Sequence, residues 1–254
     1  MLFGTYHASG PEHQSHRRRT ISAIDDAFHG LRQMIASGEL QPGQQFPSEA
    51  QLCDRLQVSR GSLREGVRML GALGVIESRH GSGTYVSALE PANIIGALGL
   101  TVGLMPLEGL IDMFESRRVL ESHATAQAAA NMTDAVAAEL SGILDALELA
   151  SEQEQASDLD AQFHEKITGL AKNATIAELL RVFRSRSRSY QLFDLPAGPD
   201  IKAQSDHSHR EILAALIARD PATAATAAAS HVLQTERWAR EHRPAAKPGP
   251  LSAD

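Results

Sequence analysis

Two short helical segments, each preceded by a serine, stand before a pair of β-strands that a glycine-rich turn connects. Ser48 lies three residues before Gln51, which is the spacing of a capping box. Ser59 is a second N-cap residue, and apolar residues follow it at helical spacing at Leu63, Val67, Leu70 and Leu73. The order of these elements between residues 46 and 86 predicts a helix-turn-helix followed by a β-hairpin wing.

The predicted hairpin begins after Gly74, which ends the second helix. Residues 75–79 and 84–86 are rich in residues that favour strands, and His80-Gly81-Ser82-Gly83 connects them. A tip of this size can enter a minor groove of DNA. Taken alone, a Gly-Ser-Gly segment is often only a turn.

The second helix carries small and basic residues that the apolar spacing leaves off its buried face: Arg60, Gly61, Ser62, Arg64 and Arg68. Small residues let a helix approach the major groove, and arginine can bind phosphates or the edge of guanine. Any arginine-bearing amphipathic helix can also be a solvated surface. The combination of this helix with the wing predicts binding to double-stranded DNA.

The charge distribution agrees with this prediction although the whole chain has a formal net charge of −7. Residues 16–87 contain nine Lys and Arg against seven Asp and Glu, a balance of +2, whereas residues 88–254 contain 15 against 23, a balance of −8. Phosphate attracts the N-terminal part and repels the rest. Because a surplus of two is small, we expect two copies to bind one DNA site.

Residues 38–87 resemble the DNA-binding domain of the GntR family of bacterial transcription regulators. The matching motifs are Gly43, Phe46-Pro47-Ser48-Glu49, Val58-Ser59-Arg60, Leu63-Arg64-Glu65 and Gly81-Ser82-Gly83-Thr84-Tyr85-Val86. The resemblance implies a set of DNA contacts from the second helix and the wing: Ser59, Arg60, Ser62, Arg64, His80 and Gly81.

The chain after residue 106 is helical in period, and no strand pattern is apparent there. The predicted fold class is mainly α: an N-terminal winged helix-turn-helix and a C-terminal all-α bundle. The predicted organisation is a disordered tail at 1–16, the DNA-binding domain at 17–87, a linker at 88–106, the helical domain at 107–240 and a disordered tail at 241–254. Arg17-Arg18-Arg19 could form a flexible basic arm that touches phosphates.

The helical region contains a carboxylate and histidines in an arrangement that suits a metal ion. Asp160 and His164 are four residues apart, so their side chains share one helix face. His209 opens one later helical segment and His231 lies in the next. Three imidazoles and one carboxylate suit a divalent transition metal, for which we predict zinc, with nickel and manganese as alternatives. Each histidine alone would more often be an ordinary surface or core residue.

From Ile111 to about Trp238 the chain resembles the FCD effector domain of the FadR-type branch of the GntR family. The matching motifs are Glu115-x-Arg117-x-x-Leu120-Glu121, Asp160-x-x-Phe163-His164 and His209-x-x-Ile212-Leu213, with Asp220 followed by His231. Metal-binding members of that family use one aspartate and three histidines. The resemblance therefore implies metal ligation by Asp160, His164, His209 and His231.

Arg117 has two predicted roles of equal standing. Its guanidinium could bind an effector carboxylate through two parallel hydrogen bonds, or it could form an ion pair with Glu121 four residues later. Four further arginines lie on one predicted helix: Arg181, Arg184, Arg186 and Arg188. Because they spread over several helix faces, we expect some to line a cavity and most to be solvated or at a subunit contact.

These features predict a homodimeric transcription regulator, a repressor, whose DNA affinity changes when a small carboxylate or sugar acid binds at the metal. One alternative is a regulator for which the ion itself is the signal. Another is a metal-dependent enzyme with a DNA-binding appendage, but Thr168 stands where a His-Glu-x-x-His site after His164-Glu165 needs its second histidine.

The single cysteine, Cys53, excludes an internal disulfide and fits a reducing cytoplasm. The apolar run from Ile94 to Met105 is too short to span a membrane, so no membrane association is predicted. No secretory signal is visible in residues 1–16.

Overall fold

The structure, a computed structural model, describes the backbone of residues 11–190, 193 and 195–246, and the side chains of these residues from 22 onward except that of residue 100. Contacts divide the chain into two compact units, residues 1–97 and 98–254. Both units are mainly helical, and the one sheet of the described residues is the two-stranded hairpin.

The N-terminal unit is a winged helix-turn-helix, as the sequence predicts. Its elements are α1 (Pro11–Ala36), α2 (Glu49–Leu56), α3 (Arg60–Ala72), β1 (Ile76–Arg79) and β2 (Gly83–Val86). The strands are antiparallel, with Ile76 opposite Val86 and Arg79 opposite Gly83. One apolar core joins α1, the two helices of the motif and the hairpin; its buried members include Leu31, Leu52, Leu63, Leu70, Ile76 and Val86.

Both helices of the motif have the predicted N-caps. Ser48 and Gln51 form the capping box before α2, and the Ser59 hydroxyl accepts the backbone N–H of Ser62 at the start of α3. Gly74 follows α3 with φ of +72°, a conformation that glycine adopts without steric cost. The two serine caps fix where α2 and α3 begin, and Gly74 lets the chain turn after α3.

Two segments differ from the predicted organisation. Helix α1 begins at Pro11, inside the segment predicted as an N-terminal tail, whereas residues 1–10 and the side chains of Arg17-Arg18-Arg19 lie outside the described part of the chain. The predicted linker contains a helix, α4 (Pro91–Val102). Pro91 suits the first helical turn, and Ile94 and Leu98 are spaced one turn apart, so the two internal glycines do not prevent a helix.

The C-terminal unit is an all-α bundle. Its helices are α5 (Leu107–Ala130), α6 (Asp134–Leu149), α7 (Gln153–Leu170), α8 (Ala174–Arg188), α9 (Gly198–Ile217) and α10 (Pro221–His242). Side chains of Asn173 and Asp220 cap α8 and α10. Residues 247–254 of the predicted C-terminal tail lie outside the described residues.

Two groups of buried side chains hold the bundle together. One joins α5, α6, α7, α9 and α10 and includes Leu140, Leu144, Phe163, Ile167, Ile212 and Leu216. The other joins the N-terminal part of α5 to α10 and includes Phe114, Tyr190 and Val232. Polar side chains from five helices, α5 and α7 to α10, meet between these groups. Among the helices that the structure describes, none is both long and apolar enough to cross a membrane.

Candidate functional site

Three buried histidines from different helices converge inside the C-terminal unit. His164 comes from α7, His209 from α9 and His231 from α10, and one ring nitrogen of each lies within 4.8 Å of the others. Nε2 of His164 is 3.2 Å from Nε2 of His209. The exposed fraction of each residue is 5% or less, so the bundle removes all three imidazoles from bulk water.

Asp160 completes this cluster one helical turn before His164. Its Oδ1 lies 3.3 Å from Nε2 of His209 and 3.7 Å from Nε2 of His164. Zinc–nitrogen bonds of 2.0–2.1 Å place neighbouring ligand atoms about 2.8–3.4 Å apart for bond angles between octahedral and tetrahedral. Asp160, His164 and His209 therefore approach the spacing that one ion requires.

Ser208 determines which nitrogen of His231 is available to an ion. The Ser208 hydroxyl donates its one hydrogen to the backbone carbonyl of Ser205 at 2.9 Å, and its oxygen lies 2.9 Å from Nδ1 of His231. Ser208 must therefore accept a hydrogen from Nδ1. This arrangement leaves the lone pair of His231 on Nε2, in the manner typical of metal-binding histidines.

The ring of His209 has its polar contacts at Nε2 alone. Within the described part of the chain, Nδ1 of His209 is the buried side-chain nitrogen or oxygen for which no hydrogen-bond partner is found. Leaving such an atom unpaired costs roughly 1–3 kcal/mol. The two polar neighbours of the ring, Asp160 and His164, both lie at Nε2, so Nε2 is the nitrogen that faces the candidate metal position.

Electrostatics keep Asp160, His164 and His231 in the protonation states that a cation needs. Burial lowers the pKa of His164 and His231 well below the usual value; Arg184 adds to the effect at His164 and His209 adds to it at His231. Burial alone would raise the pKa of Asp160, but the charge of Arg184 and a hydrogen bond from His209 hold it well below its usual value. Neutral imidazoles beside a carboxylate form a suitable donor set for a divalent ion.

A buried network of arginines and carboxylates surrounds the cluster. Arg184 donates to Asp160 at 2.8 Å and to Glu121 at 3.1 Å, and Arg117 donates to the other oxygen of Glu121 at 2.8 Å. Arg117 also donates to Ser187 at 2.9 Å. Arg117 thus forms the ion pair with Glu121, and it also lines the cavity beside the histidines. Its binding of an effector carboxylate stays a prediction.

The cavity beside the cluster has a volume of about 230 Å³. Its wall includes Asp160, His164 and His231 together with Arg117, Arg181, Arg184 and Arg188, and hydroxyl groups supplied by serines and threonines. This volume is below the range of about 300–1,000 Å³ that is usual for sites of drug-sized ligands. The site therefore suits a small polar anion.

Arg184 and Ser208 are the important residues that sequence reasoning did not single out. Three of the four α8 arginines, Arg181, Arg184 and Arg188, line the cavity, whereas Arg186 donates to the backbone carbonyl of Met105. Spacings of three and four residues between the three arginines indicate a shared helix face and could have identified them. No sequence signal marks Ser208, because its role depends on packing between α9 and α10.

The predicted DNA contacts lie on the surface of the N-terminal unit with one exception. Ser59, Arg60, Arg64, His80 and Gly81 are exposed. Ser62 was expected off the buried face but is only 5% exposed, because the Ser59 cap draws it into the first turn, where the two hydroxyl oxygens are 3.0 Å apart.

Arg64 is held in place by a residue of the other helix of the motif. Its Nε and Nη2 donate to the two carboxylate oxygens of Glu49 at 2.9 and 3.0 Å. This pair uses neither Nη1 nor the exposed side of the guanidinium. Glu49 therefore orients Arg64 on the surface of α3 before any DNA is bound.

The wing is also fixed by side-chain contacts. Gln45 donates to the backbone carbonyl of Ser82 at 2.8 Å, and the guanidinium of Arg79 lies 4.2 Å from the centre of the Tyr85 ring. Gly81 has φ of +69°, which allows the tight turn at the tip. These contacts present His80 and Gly81 at the end of a short, supported hairpin.

Comparison with known families matches both units. Residues 23–86 match the model described as bacterial regulatory proteins, gntR family, and residues 112–234 match the FCD domain. The HTH-type transcriptional regulator LutR of Bacillus subtilis is 32% identical over 151 residues, which cover 58% of this chain and 67% of LutR.

Two further comparisons extend over most of the chain. The Glc operon transcriptional activator of Escherichia coli is 29% identical over 230 residues, which cover 85% of this chain and 87% of the activator. The solved structure of a Streptococcus agalactiae GntR protein superimposes with a TM-score of 0.53 and 27% identity, covering 84% of this chain and 99% of that one.

Proposed function

Because this chain belongs to the GntR family of bacterial transcription regulators and carries an FCD domain, we propose that it changes its affinity for DNA when a small organic acid binds at a metal ion in that domain. The chain is a DNA-binding regulator and not an enzyme, like the relatives it matches. The convergence of Asp160 and three buried histidines beside a small cationic cavity carries the proposal.

The metal site that we propose consists of Asp160, His164, His209 and His231. The ion, when bound, would supply open coordination positions for carboxylate or hydroxyl oxygens of the effector. Zinc is the ion that we propose, since imidazole and carboxylate ligands both suit it, and nickel and manganese are the alternatives to be compared. Arg184 holds the Asp160 carboxylate towards the cluster, and Ser208 holds the ring of His231.

Effector recognition in this proposal uses the cationic wall of the cavity. Arg117 is buried and lies within the same wall as Asp160 and His164. Because Glu121 and Ser187 already bind its guanidinium, Arg117 is held rigidly, which reduces the entropy lost when it meets a ligand. We assign it to the binding of an effector carboxylate.

On the DNA side, we propose that α3 enters the major groove through Ser59, Arg60, Ser62 and Arg64. The wing would contact the DNA with His80 and Gly81. A homodimer would present two such helices to a pseudo-palindromic operator. Effector binding would act by favouring one arrangement of the dimer, with a coupling of roughly 1–3 kcal/mol. We propose that the free protein represses transcription in the cytoplasm.

The test compares variants of the two sites in the full-length protein. A duplex that binds the wild-type protein is first selected from a random-sequence DNA library. Arg64→Ala is expected to weaken binding to this duplex while metal content, measured by elemental analysis, stays unchanged. Arg68→Ala is the matched control, since Arg68 is an exposed arginine of the same helix that pairs with Glu65 and lies outside the proposed contact set.

His209→Ala is expected to have the opposite effects. It should lower metal content and abolish the response to effector, while the DNA-binding unit remains folded. The proposal is contradicted if the two variants behave alike, or if wild-type protein purified with zinc retains none after dialysis. A change in DNA affinity on adding zinc alone, with no further change from any acid, would favour the metal-sensing alternative.

A further inference from the structure

The buried charges beside the histidine cluster sum to zero before an ion is added. Two guanidinium groups, Arg117 and Arg184, are paired with two carboxylates, Glu121 and Asp160. The exposed fractions of these four side chains run from 3% to 21%. Imidazoles that ligate an ion are neutral, so with the three histidines as ligands the protein itself contributes no net charge at the centre of the site.

A divalent ion at the cluster would change this balance to +2. An uncompensated charge in a desolvated site is costly. A ligand with one carboxylate would neutralise half of the excess. A ligand with two carboxylates would neutralise all of it.

The order of contacts between α7 and α8 shows where a second carboxylate has a partner. Arg184 contacts Asp160, and Arg188, one turn further along α8, donates to Ser157 at 2.9 Å near the start of α7. Four residues of α-helix advance about 6 Å along the axis. Arg188 therefore lies at one end of the cavity, on the side where Arg117 donates to Ser187.

The opposite end of the cavity is less favourable to an anion. Arg181 lies there, but it pairs with Glu178 and also faces Glu165, which lines the same cavity. Two carboxylates thus accompany one guanidinium. Arg188 has one carboxylate partner, Asp158, and its side chain is 42% exposed, so this weak surface pair can yield to a ligand.

We propose that the effector is a short dicarboxylate that binds the ion with one carboxylate and Arg188 with the other. This inference rests on the metal-dependent effector site proposed above and specifies the class of acid that the site selects. Hydroxyl groups of Ser157 and Ser187 line the cavity at the Arg188 end and can form further hydrogen bonds with the ligand there.

The test is isothermal titration of the zinc-loaded full chain with acids that differ by one carboxylate. Succinate is compared with butyrate, and L-malate with 3-hydroxybutyrate. The dicarboxylate of a pair is expected to bind about tenfold tighter or more, since a charge-assisted hydrogen bond is added and buried charge is neutralised. Protein from which a chelator has removed the zinc is expected to bind neither acid of a pair.

Variants of three arginines locate the second carboxylate. Arg188→Ala is expected to remove the preference for the dicarboxylate, and Arg188→Gln provides a second variant of nearly conserved size. Arg181→Ala is expected to retain the preference. Arg240→Ala is an off-site control that matches Arg181→Ala: both arginines are about half exposed and pair with a glutamate one turn earlier on the same helix. Zinc content and circular dichroism establish that each variant is folded.

The possible failures are distinguishable. Equal, zinc-dependent binding of both acids in each pair would overturn the dicarboxylate inference and leave the proposed function standing. Loss of the preference in Arg181→Ala but not in Arg188→Ala would overturn the assignment of Arg188. Absence of zinc-dependent binding by every acid would overturn the inference together with the proposed function.

Discussion

At the scale of single residues, Ser208 illustrates how one hydroxyl group can select the tautomer of a histidine. It donates to the carbonyl of Ser205 and so can only accept from Nδ1 of His231. The partner of the other ring nitrogen is commonly as important for metal affinity as the ligand itself. Ser208 is therefore expected to affect zinc binding without touching the ion.

We predict that Ser208→Ala lowers zinc affinity by about 10- to 100-fold, the usual effect of losing such a supporting hydrogen bond. The measurement is competition against a chromogenic chelator of known affinity. Ser185→Ala is the matched control, because the Ser185 hydroxyl also donates to a backbone carbonyl three residues earlier but touches no histidine. Equal affinities for the wild type and Ser208→Ala would remove this role from Ser208.

Arg184 supports a different ligand. Its guanidinium bonds both Asp160 and Glu121 and is largely buried, with 14% of the side chain exposed. We predict that Arg184→Met, which keeps the length of the side chain but removes its charge, weakens zinc binding and lowers the melting temperature. The melting temperature is expected to fall because two buried carboxylates lose a partner. Arg186→Met, on the same helix but off the cavity, should leave zinc affinity unchanged, as elemental analysis and calorimetry would show.

Only part of the site could be predicted from these residues alone. The four-residue spacing of Asp160 and His164 is visible in the sequence, but His209 and His231 follow at separations of 45 and 22 residues. Family resemblance, and not spacing, supplied those two. The spacing of the α8 arginines indicates that Arg184 shares a helix face with Arg181 and Arg188, but its partners Asp160 and Glu121 lie on other helices and could not be assigned. The contact of Ser208 with His231 likewise depends on packing between two helices.

At the scale of elements, local chemistry made the motif predictable. The caps at Ser48, Ser59, Asn173 and Asp220 each satisfy backbone N–H groups of the helix that follows, so the sequence locates these starts closely. Helix α4 was missed because its glycines resemble a linker and its residues include no charge that would indicate a solvated face. At its start, Asn93 in the first turn accepts the backbone N–H of Glu90 at 3.2 Å.

Gly74, between α3 and β1, is a position where the backbone requires glycine. Its φ is +72°, and a Cβ there would come within 2.0 Å of the carbonyl oxygen of Asn93. We predict that Gly74→Ala destabilises the N-terminal unit by more than the roughly 1–2 kcal/mol of a left-handed alanine, because the backbone must also move. Gly38→Ala is the control: φ is +78° but the space is open, so only the conformational cost applies. Urea unfolding of both variants measures the difference.

At the scale of the whole molecule, the chain consists of two compact units with separate apolar cores. All of the candidate metal ligands lie in the second unit, and all of the predicted DNA contacts lie in the first. A ligand stabilises the unit that binds it through mass action.

We predict that differential scanning calorimetry resolves two transitions and that zinc raises the temperature of one of them by several degrees. Chelation should reverse this shift, and His209→Ala should eliminate it without affecting the other transition. A single transition that zinc shifts as a whole would show that the two units unfold together, so that their stabilities are not independent.

The distribution of the ligands over α7, α9 and α10 affects when a newly made chain can bind its metal ion. Before the bundle assembles, the chain offers an ion only Asp160 and His164 on one helix, since His209 and His231 lie far along the sequence. The complete four-ligand site therefore exists only after the bundle has folded. Tight retention of an ion would thus mark a chain whose three helices have assembled correctly, and a chain with a misassembled bundle would be left without its metal.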